Sequence, residues 1–139
     1  ARTSAQKIKP DVGVALEVAI AGDMPGVKED KAQSKLGEGP VILLYDRSMI
    51  PNVKLRDYLI DSAERAKVPY QFDLMEAGGT DAGSIHLTNS GVPSIVIGIP
   101  TRYIHSHYGI INRKDYDNTL KLLVEFVVGL DGKTVAEFS

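Results

Sequence analysis

The chain has 139 residues, 43% of them hydrophobic and 24% charged, with 16 Lys+Arg against 18 Asp+Glu. That is one globular domain, long enough to bury a core without disulfide staples. The absence of cysteine removes disulfides, thiolate metal sites and cysteine nucleophiles, and a net charge of −2 with no basic block speaks against nucleic acid. No apolar run approaches the ~20 residues of a membrane helix, and Ala1 to Pro10 lack the apolar core of a signal peptide. A soluble, cytoplasmic α/β domain is expected, with no nucleic acid and no membrane among its partners.

Val12 to Ile20 is a nearly continuous apolar run, read as a strand buried on both faces. Met24 to Pro40 shows no helical or strand period and reads as a long loop. Val41 to Tyr45 is a second buried strand. Asn52 caps an amphipathic helix over Val53 to Lys67, where Leu55, Tyr58, Leu59, Ala63 and Ala66 recur at helical spacing. Tyr70 to Met75 is a third strand, and Thr80 caps a short helix reaching about Asn89. Ser94 to Ile99 is a fourth strand, closed by Pro100. Asn112 caps a last helix whose apolar stripe is Tyr116, Leu120, Leu123, Val127 and Leu130.

Strands alternating with helices predict an α/β fold with a mostly parallel or mixed sheet flanked by helices. The first connection has no obvious helix, so that strand pair is antiparallel or non-adjacent. Ligands of such sheets bind beyond the carboxyl ends of the strands, where Asp23, Asp46, Arg47, Thr80, Asp81, Arg102, His105 and His107 all fall. A histidine on a strand-end loop suits a metal ligand, against the plainer reading of a surface histidine. His107 suits a neighbour better than a second ligand. Asp23 is either a ligand or a turn residue. Asp46, Asp81 and Glu76 read as turn residues or caps, and His86 as packing. The turn at Gly78 to Gly83 lacks both the P-loop and the dinucleotide fingerprint, and no serine sits in a nucleophile elbow.

Three segments, AIAGDMPG around Asp23, GPVILLYDRSMIPN, and PYQFDLMEAGGTDAGSIHLTNSGVPSIVIGIPTRYIHSH, together resemble the M42 metallopeptidases. These are the glutamyl- and tetrahedral-aminopeptidase group, some of which carry an endoglucanase label. The similarity runs from Lys7 to about Leu130, and the HSH at His105 to His107 resembles the glutamyl subgroup. The resemblance implies a zinc-peptidase (phosphorylase/hydrolase-like) catalytic domain of a two-metal aminopeptidase, using zinc or cobalt. Carried over by position, Asp23 would bind one metal and His105 the other. The general-base glutamate and the remaining ligands would lie upstream of Ala1.

Residues 1–139 are therefore expected to be the C-terminal portion of that domain, lacking its N-terminal portion and an inserted β domain, and inactive alone. Candidate substrate-binding residues are Arg47, Thr80, Asp81, Arg102 and His107. Arg47 or Arg102 would grip an acidic N-terminal side chain (Glu or Asp) bidentately, unless either is held in an ion pair with a carboxylate such as Asp46 or Asp81. The complete enzyme would act on peptides as a homo-oligomer, a dodecamer. The isolated chain would expose sheet edge and either self-associate or be marginally soluble instead. The alternatives are a non-catalytic α/β module that binds a ligand or partner, and a polysaccharide hydrolase. The latter fits poorly with no Trp and 6% aromatic residues.

Overall fold

A computed structural model describes residues 1–28 and 33–138. The elements are α1 (Arg2–Ile8), β1 (Gly13–Ile20), β2 (Val41–Asp46), α2 (Val53–Ala66), β3 (Gln71–Met75), α3 (Asp81–His86), β4 (Ser94–Arg102), β5 (Ile110–Ile111), α4 (Arg113–Val128) and α5 (Gly132–Glu137). Among the described residues the strands form one sheet in the order β1-β4-β2-β3, with β5 added to β4. β1 runs parallel to β4, and β2 parallel to β3, but β2 meets β4 antiparallel. The sheet is mixed, and β1 and β2 are non-adjacent.

One face of the sheet carries α2 and α4 over a core of Ile42, Leu55, Leu59, Ile95, Ile97, Leu122 and Phe126. The other carries α3, with Ala82 packed against Ala15, Leu43, Met49 and Val96. The helix starts follow from local chemistry. Asn52 accepts from the Leu55 N–H at 3.0 Å, and Asn112 accepts from the Lys114 N–H at 2.9 Å. Both satisfy otherwise orphaned donors of a first turn.

Several expectations are corrected. β4 runs through Pro100 to Arg102, because Pro100 falls in the gap between the pairing with β2, which ends at Gly98, and that with β5, which starts at Thr101. No ladder bond is lost there. The helix after Thr80 ends at His86. The Thr80 hydroxyl does not cap it but donates to Asp46 Oδ2 at 2.6 Å. Helices α1 and α5 and the short β5 carried no clear sequence signal. Residues 29–32 of the long segment Met24 to Pro40 lie outside the described residues.

Two corrections concern apolar surface. β1 is an edge strand whose Leu16, Val18 and Ile20 are each about half exposed. In α4 the buried face is Asp115, Thr119, Leu122 and Phe126, while Tyr116, Leu120 and Val127 of the expected stripe are exposed. Two polar residues hold the buried face. Asp115 accepts from Gly37 N–H at 2.7 Å and Gly39 N–H at 2.9 Å, and the Thr119 hydroxyl donates to the Asp115 carbonyl. Gly39 is required here: its φ is +98° and a Cβ would run into the Pro69 carbonyl.

An unpaired edge with apolar residues is a pairing template. The isolated chain should therefore show concentration-dependent self-association in light scattering, reduced by Val18→Lys. A monomer at every concentration would contradict this.

Candidate functional site

β1 and β4 are adjacent and parallel, with Ile20 opposite Thr101. The segments leaving them therefore start side by side. Asp23 lies three residues beyond Ile20 and His105 four beyond Thr101. Arg102, the residue after Thr101, donates from Nη2 to Asp23 Oδ2 at 2.7 Å and from Nε to Oδ1 at 3.1 Å. The Leu36 N–H donates to Oδ2 at 3.2 Å. Arg102 and the Leu36 amide hold the Asp23 carboxyl below the usual carboxylate range, against a smaller opposing effect of burial.

His105 is exposed and sits in the left-handed region at φ 61°, as does Tyr103. Two such non-glycine residues in one loop are strained, a condition that collects at functional sites. The loop is braced by Ser106 Oγ, which lies 2.7 Å from both the Tyr103 and Tyr108 carbonyl oxygens, and by an edge contact between the two tyrosine rings. His107 is exposed on the same loop.

The other candidates are elsewhere. Because β2 and β3 run opposite to β1 and β4, Asp46, Arg47, Thr80 and Asp81 leave the sheet from its other end. The convergence of all these residues at one end does not occur. Asp46 is 1% exposed and accepts from Ser48 N–H, Ser48 Oγ and Thr80 Oγ1, each at 2.6 Å. It is a structural hub, as its reading as a turn residue implied. Asp81 is exposed, and its N–H donates to Glu17 Oε1 at 2.8 Å. Arg47 is exposed and, among the described residues, no carboxylate is bonded to its guanidinium. The ion pair that holds Arg102 is with Asp23, not with Asp46 or Asp81.

A cleft of about 460 Å³ connects the two ends across the face that bears α3, with Thr80 and Gly79 toward one end and Gly22, Ile104 and His105 toward the other. Sequence reading missed its two carboxylates, Glu17 and Asp73. A signal existed for Asp73. In Tyr70 to Met75 strand alternation puts it on the face of Gln71 and Met75, not among the apolar Phe72 and Leu74.

As metal donors, a carboxylate oxygen and an imidazole nitrogen suit zinc or cobalt. Among the described residues, however, no group of three or more His, Cys, Asp or Glu side chains could enclose an ion. Asp23 and His105 offer donor types that suit such an ion, but a catalytic zinc normally takes three protein ligands.

The chain matches the family model described as M42 glutamyl aminopeptidase over residues 1–122. It is 48% identical to a TET aminopeptidase from a marine-sediment Thaumarchaeota archaeon, whose crystal structure superposes with a TM-score of 0.96 over 99% of this chain and 38% of that one. It is 39% identical to the glutamyl aminopeptidase of Lactococcus lactis over 99% of this chain and 37% of the relative. It is 36% identical to the lysyl aminopeptidase of Pyrococcus furiosus over 88% and 34%. The chain thus spans less than two fifths of the length of these relatives. The chain belongs to the M42 glutamyl aminopeptidase family.

Proposed function

We propose that these residues are the C-terminal part of the catalytic domain of a longer metallo-aminopeptidase, which removes N-terminal residues from peptides in the cytoplasm and works as a homo-oligomer. The observation that carries this reading is the pairing of β1 with β4, which starts the Asp23 and His105 segments side by side. Membership of the M42 family supports the aminopeptidase reading. Among the described residues no helix is long and apolar enough to cross a membrane.

In this reading Asp23 and His105 would hold part of a divalent metal pair, zinc or cobalt, which when bound would supply Lewis-acid chemistry toward the scissile carbonyl and the attacking water. Asp23 contributes a carboxylate that stays ionised, since Arg102 favours its charged form. Arg102 acts as a positioning residue: its bidentate contact fixes the Asp23 carboxylate plane. This leaves Arg102 poorly placed to grip a substrate carboxylate. The strained Tyr103-to-His105 turn presents the imidazole, with Ser106 bracing the loop. No residue of this chain is assigned as general base.

The test is an assay of the full-length protein that carries these residues, on the p-nitroanilides of Leu, Lys and Glu. Turnover should vanish on chelation and return with zinc or cobalt. Absence of turnover, or turnover indifferent to chelation, would refute the reading.

A further inference from the structure

One of the donors that hold the Asp23 carboxylate is a backbone amide. Arg102 donates to both oxygens, and the Leu36 N–H donates to Oδ2 at 3.2 Å. A carboxylate offers about four lone-pair sites, two on each oxygen. Arg102 Nη2 and the Leu36 N–H fill those of Oδ2, while Oδ1 receives only Arg102 Nε among the described residues. The amide therefore helps decide which oxygen is left for a cation.

That amide is held from the opposite edge of the sheet. In the strand order β1-β4-β2-β3, Asp23 follows one edge strand and Gln71 opens the other. The Leu36 N–H and the Lys35 carbonyl belong to one planar trans peptide group, so orienting one end orients the other. The Lys35 carbonyl accepts from Gln71 Nε2 at 2.9 Å. Gln71 Oε1 accepts the Lys35 N–H at 2.8 Å, and Nε2 also donates to the Gly39 carbonyl at 2.9 Å. The side-chain amide thus spends both donors and an acceptor on one short segment. It grips Lys35 at N–H and C=O as a neighbouring strand would. Gln71 is itself anchored, its N–H donating to the Pro40 carbonyl at 2.9 Å. The segment is tied at both ends as well, at Ser34 by the Gly22 N–H and at Gly37 and Gly39 by Asp115.

We infer that Gln71 is a positioning residue for Asp23, acting through the Lys35–Leu36 peptide group, so that its loss weakens metal binding without removing a ligand. The inference rests on the reading of Asp23 as a metal ligand and deepens it. Two effects act together. Gln71 fixes the direction of the Leu36 N–H, and a donor on the carbonyl of a peptide group polarises that group and strengthens its N–H. A residue that merely braced the segment would change stability alone. A positioning residue changes metal affinity too.

The experiment measures zinc affinity of the full-length protein by competition with a chromophoric chelator, and hydrogen exchange at residues 34–39 of its metal-free form. It compares the wild type with Gln71→Met, Gln71→Glu, the core variant Ile97→Val, and Asp23→Ala. Methionine keeps the length of the side chain without its hydrogen bonds. Glutamate keeps an acceptor for the Lys35 N–H and loses both donors. Gln71 is half-buried, so both variants are expected to fold. Each should weaken zinc binding by about 10-fold, the lower end of the range for partners outside the ligand set, and speed exchange of the Leu36 amide. Ile97→Val should lower stability and leave both readouts in place. Zinc affinity unmoved in both Gln71 variants, or lowered as much by Ile97→Val, would overturn the assignment of Gln71. Faster exchange with unchanged affinity would make Gln71 a brace and overturn it too. In each of these cases loss of zinc in Asp23→Ala would leave the metal reading intact. A wild type that binds no zinc would overturn both.

Discussion

Asp46→Ala should destabilise the protein by about 3–4 kcal/mol, seen as a lower urea midpoint at unchanged slope. The carboxylate is almost fully buried and accepts three hydrogen bonds, two from Ser48 and one from Thr80. Alanine would remove the acceptor of the Thr80 hydroxyl and of the Ser48 N–H and hydroxyl, and would lose three charge-assisted hydrogen bonds at once. The contact is also long-range in consequence, because it ties the turn after β2 to the start of α3. Gly83 of α3 packs so closely on Ser48 that a Cβ there would collide with its side chain. For a domain whose total stability is of order 5–15 kcal/mol, the loss is a large share. A change below about 0.5 kcal/mol, the range of ordinary surface substitutions, would contradict this account of Asp46.

The same group sets part of the acid limit. Burial alone would raise its pKa, but the hydrogen bonds from Ser48 and Thr80 outweigh it, so the folded value lies below the unfolded one. Its stabilisation is therefore complete above the ordinary aspartate pKa and is lost as pH falls through the folded value. Asp46→Asn should flatten the stability profile below about pH 4, near the model-peptide aspartate value.

The largest functional effect is expected at Asp23 and His105. Replacing either by alanine in the full-length protein should lower kcat/KM by about 10³-fold, equivalent to about 4 kcal/mol of transition-state stabilisation. Metal content should fall as well. Asp23→Ala carries a second consequence that His105→Ala does not: Arg102 loses its bidentate partner. His107→Ala should change little by comparison, since His107 is an exposed neighbour on the same loop with no partner among the described residues. Full activity in Asp23→Ala or His105→Ala would remove them from the machinery.

Much of the fold was legible because its signals are local. The asparagine caps at Asn52 and Asn112 and the apolar runs of β2 and β4 place their elements within a residue or two at most boundaries. What was not legible is set by distant partners. Nothing near Asp115 announces that it will be buried, yet it serves two amides 78 and 76 residues away. Leu122 and Phe126 share its face and are fully buried, while Tyr116, Leu120 and Val127 of the more obvious stripe are exposed and Leu123 and Leu130 flank the core. β1 reads as a strand buried on both faces because its composition is that of a central strand. In this chain it is an edge. The direction of β2 could not be read either. It separates Arg47, Thr80 and Asp81 from Asp23 and His105, which strand-end placement alone would have grouped. The Asp23–Arg102 pair, 79 residues apart, likewise became visible only once β1 lay beside β4.

Asp23 and His105 are expected to hold the two ions of one metal pair, so that loss of either weakens binding at the other. The chain has three histidines, His86, His105 and His107, so their ring signals can be resolved by nuclear magnetic resonance in a zinc titration of the 139-residue chain. Zinc is expected to shift the His105 ring while His86 stays in place, His107 to follow weakly if at all, and Asp23→Ala to abolish the response. A zinc response centred on His86 or His107, one that survives Asp23→Ala, or none at His105 would contradict it.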